Sequence, residues 1–230
     1  MTVLGRCGSN KLLLMFQISR FQSPIPLNVL CIGAHSDDIE IGCSGTLLTL
    51  AERGHPLSLD WVVLSANDER ANEAKYSAER LLLGVADLRL HLGNFKDSYF
   101  PAFFGPLKEH FSELRQRIEP DIIFTHSSVD SHQDHKLVAE LTWQTWRDHF
   151  ILEYEIPKYE GDLGASNFFM PIAREAANRK VEHLCAVFAS QRSKSWFTSE
   201  TFLALMRLRG IQCRSPDGLA EAFVARKILL

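Results

Sequence analysis

Two short segments of the chain combine histidine and aspartate at spacings that could bind a metal ion. They read Ala34-His35-Ser36-Asp37-Asp38-Ile39-Glu40-Ile41-Gly42 and Asp130-Ser131-His132-Gln133-Asp134-His135. Imidazole and carboxylate ligands without thiolate are typical of catalytic rather than structural zinc. Three protein ligands and one water would leave the open position at which zinc generates hydroxide near neutral pH. The remaining acids could act as a general base or orient a histidine ring.

Neither segment is specific alone, because an H-x-x-H spacing arises easily by chance in a chain with nine histidines. Their positions relative to two predicted strands strengthen the case. The apolar run 27–33, which ends in glycine, predicts a buried parallel strand directly before the first segment. Residues 122–125 predict a fourth strand shortly before the second segment. In the common strand order 3-2-1-4-5 these two strands are neighbours, and ligands bind beyond their carboxyl ends.

The rest of the chain alternates between strand and helix patterns, which predicts an α/β fold. We expect a Rossmann-like, three-layer α/β/α domain with a mostly parallel sheet. No G-x-G-x-x-G follows the first strand, which argues against a dinucleotide site. The further strands are predicted at 57–64, 87–92 and 151–156, and helices at 42–52, from 68 to about 82, 106–120, 136–147, 173–190 and 197–209.

Length and composition indicate one domain and exclude several classes of protein. With 230 residues, 46% of them apolar, the chain can bury a full core, and we assign 27–230 to one domain behind an N-terminal extension, 1–26. A net charge of −3 argues against a nucleic-acid partner, and no run approaches the ~18 apolar residues of a membrane span. Five scattered cysteines indicate reduced thiols and a cytoplasmic location. We interpret 157–171, rich in glycine and proline, as a surface loop.

At the two histidine segments the chain resembles the PIG-L/LmbE family of zinc-dependent N-acetylglucosaminyl deacetylases. The first segment is similar to the family's AHPDDxExG motif and the second to its D-x-HPDH motif. Weaker similarities bring the resemblance to about residues 27–225; they lie at Arg70-Ala71-Asn72-Glu73, Ser190-Gln191 and Ala220-Glu221-Ala222-Phe223. Ser36 and Gln133 stand where the family has proline, which affects turn rigidity rather than the ligand set.

The resemblance implies a role for each matching residue. His35, Asp38 and His135 would bind the metal, and Asp37 would be the general base that deprotonates the metal-bound water. His132 would stabilise the oxyanion or protonate the leaving amine, and Asp134 would orient the His132 ring.

Several other residues have two interpretations. Arg70 could contact a substrate hydroxyl or phosphate, or pair with Glu73 three residues later. Asp130 could face substrate or cap the following helix, and capping is favoured. Glu40 is expected to place its charge at the positive end of a helix dipole. His126 ends the fourth strand and could line the pocket.

An aromatic segment, 94–106, could stack on a sugar ring, pack against a second subunit of a homo-oligomer, or fold onto its own core. Its aromatic residues are Phe95, Tyr99, Phe100, Phe103 and Phe104.

These features predict a cytoplasmic, metal-dependent hydrolase that removes an acetyl group from a small N-acetylated sugar or glycoconjugate. Zinc is the expected metal, although two histidines and one carboxylate also suit ferrous iron. Two alternatives stay open. One is an amidase that acts on a thiol conjugate or an antibiotic acyl amide, and the other is a protein that retains the metal without turnover.

Overall fold

A computed structural model of the protein describes residues 26–83 and 86–228. It contains a seven-stranded sheet in the order β3-β2-β1-β4-β5-β7-β6. The strands are β1 (Leu27–Gly33), β2 (Leu57–Val63), β3 (Ala86–Leu92), β4 (Ile122–His126), β5 (Phe150–Tyr154), β6 (Phe168–Pro171) and β7 (Ala220–Ala225). Strands β1 to β5 pair in parallel, and β7 pairs antiparallel with both β5 and β6. The predicted α/β fold with a mostly parallel sheet is therefore confirmed.

Six α-helices connect these strands. They are α1 (Asp38–Glu52), α2 (Asp68–Leu81), α3 (Phe104–Arg117), α4 (Gln133–Thr145), α5 (Arg174–Val187) and α6 (Ser199–Gln212). Two separate apolar clusters show how the helices cover the sheet. One contains residues of α1, α2, α5 and α6, and the other contains residues of α3 and α4. The sheet thus lies between two helical layers, as the alternating pattern predicts.

The largest differences from the prediction lie at the antiparallel edge of the sheet. Strand β6 falls within the segment 157–171 that we predicted to be a surface loop, and β7 was not predicted as a strand. Strand β6 has only four residues and ends at Pro171, so no alternating pattern marks it. The predicted extension, 1–26, lies outside the described residues except for Pro26.

Helices α1 and α4 start a full turn or nearly so before the apolar pattern predicts, and both start inside a histidine segment. Helix α1 begins at Asp38 rather than at 42, and α4 begins at Gln133 rather than at 136. Their first turns carry buried acids, Asp38, Glu40 and Asp134, which interrupt the apolar periodicity although they face the interior. The polar first turns are therefore part of the helices, and their side chains point inward.

The sheet register brings the two histidine segments together. Cys31 of β1 lies beside Phe124 of β4, so the carboxyl ends of these strands are adjacent. None of the helices within the described ranges is long and apolar enough to cross a membrane. The four cysteines in the same part of the chain, Cys31, Cys43, Cys185 and Cys213, are all free thiols.

Candidate metal centre

The three predicted metal ligands converge at the carboxyl ends of β1 and β4. His35 Nδ1 lies 3.2 Å from His135 Nε2 and 3.4 Å from Asp38 Oδ2, and His135 Nε2 lies 3.5 Å from Asp38 Oδ1. Tetrahedral zinc with bonds of about 2.0–2.1 Å would separate its ligand atoms by about 3.3–3.4 Å. The donor atoms and their spacing therefore fit a small divalent cation. All three side chains are buried.

Each of the two histidines in this group is backed by a carboxylate on its other ring nitrogen. Asp130 Oδ2 lies 3.0 Å from His135 Nδ1. His35 Nε2 lies 3.1 Å from Asp97 Oδ1 and 3.3 Å from Asp134 Oδ2. Such partners fix the ring orientation and tautomer of a metal-binding histidine and raise its basicity. The arrangement thus directs one lone pair of each ring towards Asp38.

Asp37, the predicted general base, is buried beside this group. Burial and the neighbouring charge of Asp38 raise the pKa of Asp37, while the Arg70 guanidinium, 3.6 Å away, opposes that increase. A carboxylate whose pKa is shifted towards neutrality is a better proton acceptor at physiological pH than one with an ordinary pKa. The environment of Asp37 therefore suits proton abstraction.

His132 precedes α4, and its ring is held by the backbone. The Asp134 N–H donates to His132 Nδ1 at 3.3 Å, so the neutral ring carries its proton on Nε2. Burial and the nearby His35 lower the pKa of His132. The ring is therefore expected to be neutral near pH 7 and to offer an Nε2–H donor, which suits the first of its two predicted roles, stabilisation of the oxyanion, better than protonation of the amine.

Asp134 contacts the His132 ring through its backbone N–H and not through its carboxylate. The carboxylate accepts hydrogen bonds from the backbone N–H groups of Ser98 (2.6 Å) and Phe100 (3.0 Å), besides lying near His35. The prediction that Asp134 orients the ring of His132 therefore rests on its backbone N–H, while its carboxylate supports His35 and the loop between β3 and α3.

Asp130 ties the turn before α4 to the ring of His135. It is only 5% exposed, and its oxygens accept hydrogen bonds from the His132 N–H (2.7 Å), His135 (3.0 Å) and Lys158 Nζ (3.0 Å). Because His132 directly precedes α4, the first of these bonds lies close to the favoured capping role without reaching the N–H groups of the helix itself. Substrate binding by Asp130 stays a prediction.

Arg70 lies at the accessible side of the centre. Its guanidinium donates to Asp97 Oδ2 at 2.5 Å and lies near Asp37. The alternative pairing with Glu73 is wrong, since the Glu73 carboxylate accepts hydrogen bonds from the N–H (2.9 Å) and hydroxyl (2.6 Å) of Ser190. Arg70 and Asp97 together form a charged pair at the edge of the centre.

His126 lies directly beneath the ligand group. Its ring stacks on that of His135 with centroids 3.9 Å apart, and its Nε2 lies 3.1 Å from Asp38 Oδ2. Asp38, His126 and His135 thus form a second set of converging donor atoms. However, the Ala34 N–H donates to His126 Nε2 at 3.0 Å, which engages the lone pair that a metal would need. We therefore treat His126 as a support for its two neighbours.

Glu40 does not place a charge at the helix dipole as expected. It is completely buried and accepts a hydrogen bond from the Ser77 hydroxyl. Burial raises the pKa of Glu40 to about 8, so the group is largely protonated near pH 7. A neutral carboxyl group adds no charge at the start of α1.

The aromatic segment divides between core and surface. Phe100 is fully buried and Phe95 packs against the same apolar cluster, whereas Tyr99, Phe103 and Phe104 are exposed. The interpretation of a loop folded onto its own core therefore holds for two of the five side chains.

A comparison with known protein families fits this arrangement. The sequence profile of the family described as PIG-L, GlcNAc-PI de-N-acetylase, matches residues 30–146, which include both histidine segments. The chain belongs to the PIG-L family.

A curated relative and two solved structures show how the PIG-L chain compares with other proteins. It is 28% identical to the uncharacterized deacetylase YaiS of Escherichia coli (strain K12) over 141 residues, 56% of this chain and 74% of YaiS. GalB, the 4-carboxy-2-hydroxymuconate hydratase of Pseudomonas putida KT2440, matches with a TM-score of 0.66 and 18% identity, over 89% of this chain and 98% of GalB. The N,N'-diacetylchitobiose deacetylase of Pyrococcus horikoshii matches with a TM-score of 0.59 and 18% identity, over 86% of this chain and 83% of that deacetylase. At these identities the structural matches show the fold alone.

One residue of the PIG-L centre, Asp97, was not predicted from the sequence, and a second, His126, was predicted only to line the pocket. Asp97 lies in the aromatic segment, which was interpreted only through its aromatic side chains. It lies a few residues after the predicted third strand, at the carboxyl edge of the sheet. This position was the signal that could have identified Asp97 as a site residue. His126, at the end of β4, carried the same signal.

Proposed function

We propose that the protein is a metal-dependent N-deacetylase that hydrolyses the amide of an N-acetylated sugar or glycoconjugate. The observation that carries the proposal is the convergence of His35, Asp38 and His135 next to a buried Asp37 and an Nε2–H donor on His132. Membership of the PIG-L deacetylase family supports the same reaction. The four free thiols support the cytoplasm as its location.

We assign the metal to His35 Nδ1, His135 Nε2 and one oxygen of Asp38, and zinc is the ion we favour. When bound, such an ion supplies Lewis-acid polarisation of the amide carbonyl and of the attacking water. The near-tetrahedral spacing of the donor atoms supports zinc, and ferrous iron remains compatible with two imidazoles and one carboxylate.

Asp37 and His132 are proposed to handle the protons. Asp37 takes the proton of the attacking water on a carboxylate oxygen, because burial beside Asp38 favours its protonated form. His132 donates its Nε2–H to the oxygen on which negative charge develops. The proton held by Asp37 then becomes available to the amide nitrogen, so that the amine and acetate can leave.

Arg70 and Asp97 are proposed to bind the hydroxyl groups of the substrate. One offers donors and the other acceptors, 2.5 Å apart at the edge of the centre. Sugar hydroxyls both donate and accept hydrogen bonds, so such a pair suits them better than it suits an apolar acyl chain. This feature favours a sugar over the alternative amides.

An acetate-release screen with purified, metal-loaded protein tests the proposal. The panel contains N-acetylglucosamine conjugates, sugar nucleotides, N-acylated thiol conjugates and an N-acylated glycopeptide antibiotic, with Asp37→Asn as the matched inactive control. We expect release from one class of N-acetyl sugar, lost on chelation and restored by zinc. Release of acetate only from the thiol conjugates or the antibiotic would contradict the proposed sugar substrate and support the alternative amides. Tight metal binding without hydrolysis of any member would contradict an enzymatic function.

A further inference from the structure

The loop between β3 and α3 lies against the candidate metal centre and contributes Asp97 to it. The two Asp97 oxygens contact His35 Nε2 (3.1 Å) and Arg70 (2.5 Å). The position of this loop therefore determines where the Arg70–Asp97 pair meets a substrate.

The backbone of this loop is strained next to Asp97. Ser98 has φ of 67°, in the left-handed region that non-glycine residues adopt at a cost. Such a conformation persists only where neighbouring groups hold it. The groups that hold Ser98 come from the first turn of α4.

Two consecutive residues of α4 bind the backbone of Ser98 on both sides. Asp134 accepts hydrogen bonds from the Ser98 and Phe100 N–H groups, at 2.6 and 3.0 Å. The side-chain amide of Gln133 donates to the Ser98 carbonyl oxygen at 2.5 Å. The second histidine segment thus fixes the loop as well as providing His135.

Gln133 stands where the D-x-HPDH motif of the family has proline. Proline has no side-chain donor, so the hydrogen bond to the Ser98 carbonyl depends on the residue that this chain has at that position. Gln133 is exposed and is the first residue of α4, a place where proline is tolerated. Neither the core nor the helix therefore requires glutamine here.

We propose that Gln133 is a positioning residue that holds Ser98, and with it Asp97, at the metal centre for substrate binding. This inference rests on the proposed function. Gln133 touches none of the proposed reacting groups, so its loss should weaken substrate binding more than the chemical step. A loop released from Gln133 would leave Asp97 less well placed to bind a hydroxyl group beside Arg70.

The test compares Gln133→Pro and Gln133→Ala with Gln144→Ala. Gln144 is the control because it is also a glutamine of α4, partly exposed, but its amide donates to Glu140 within the helix at 2.9 Å. Hydrogen exchange of peptides spanning residues 94–103 is measured on the metal-loaded protein without substrate. KM and kcat are measured with the substrate found by the acetate-release screen.

We expect both Gln133 variants to speed exchange in 94–103 and to raise KM, each by about 2- to 12-fold, the effect of one neutral hydrogen bond. The kcat should stay within about twofold of wild type, and Gln144→Ala should change none of these quantities. Unchanged exchange in both Gln133 variants, or faster exchange with unchanged KM, would overturn the proposal. If the wild-type protein releases no acetate, the proposed function fails, while the exchange data still decide whether Gln133 holds the loop.

Discussion

Helix α1 meets buried carboxylates at two places, and the two places are built in opposite ways. In its middle, Glu221 accepts hydrogen bonds from the N–H groups of Gly45 (2.8 Å) and Thr46 (2.7 Å) and from Lys180 Nζ (2.6 Å). Lys180 also donates to the Ile41 carbonyl at 2.5 Å. At the start of the helix, Asp37 and Asp38 are adjacent like charges.

The difference separates a buried charge with a matched partner from two adjacent like charges, the arrangement to which we assign the chemistry. The charge of Glu221 is matched by that of Lys180, and its oxygens are satisfied. At the other place, burial and Asp38 raise the pKa of Asp37, whereas the neighbouring histidines overcome the effect of burial and hold the pKa of Asp38 well below its usual range. Two adjacent carboxyl groups with pKa values shifted in opposite directions can act as a base and as a metal ligand.

Removing the proposed base at the start of α1 should give the largest effect and leave folding intact. We expect Asp37→Asn to lower kcat by ~10²–10⁴ if Asp37 transfers the proton. The free energy of unfolding should stay equal or rise, because the substitution removes one of two adjacent buried charges. Steady-state kinetics and urea unfolding of metal-loaded protein measure both quantities. Near wild-type turnover would refute the assignment of Asp37.

Breaking the Lys180–Glu221 ion pair at the middle of α1 should reverse this pattern. We expect Glu221→Gln to lower the free energy of unfolding by ~3–5 kcal/mol, because it leaves Lys180 buried without a counter-charge. Urea unfolding measures the loss, and Glu140→Gln on the exposed face of α4 is the control. The double variant Lys180→Met, Glu221→Leu should recover part of the loss. Equal stabilities of wild type and Glu221→Gln would show that the pair does not stabilise the fold.

Substitution of Asp130, the carboxylate that contacts His135 Nδ1, tests whether the site at the start of α1 is organised around a metal. We expect Asp130→Asn to weaken metal affinity by ~10- to 100-fold, since a histidine ligand loses the partner that orients it. Competition with a chelator at fixed pH measures the affinity. Asp162→Asn is a matched control, because Asp162 also accepts hydrogen bonds from Lys158 (2.8 Å) but does not contact His135. Equal affinities of the Asp130 and Asp162 variants would contradict this role.

The sequence could predict the meeting of the two histidine segments because it depends on strand order alone. Alternating apolar runs identify β1 and β4, and parallel strands bring His35 and His135 to one edge. The partners of Asp134 and Asp97 could not be predicted in this way. The contact of Asp134 with Ser98 spans 36 residues and that of Asp97 with Arg70 spans 27, and both involve a loop whose left-handed backbone at Ser98 no periodic pattern encodes. Strand β6 was missed for a related reason, since its pairing with β7 is decided by tertiary contacts.

The smallest expected effect concerns the side of α5 that faces α2, three residues beyond Lys180. His183 Nε2 lies 2.8 Å from the Ser77 hydroxyl, and burial, with Arg80 and Arg179 nearby, lowers the pKa of His183 to about 4. The unfolded chain takes up this proton near pH 6.5, so stability is complete above that pH and declines as the pH falls towards 4. We expect His183→Gln to flatten the decline in the free energy of unfolding between pH 6.5 and 5, measured by urea unfolding across that range.

The control is His149→Gln, at a histidine that lies between Asp148 and Glu119. A His183 variant whose stability falls as steeply as that of wild type would show that this histidine takes no part in the decline.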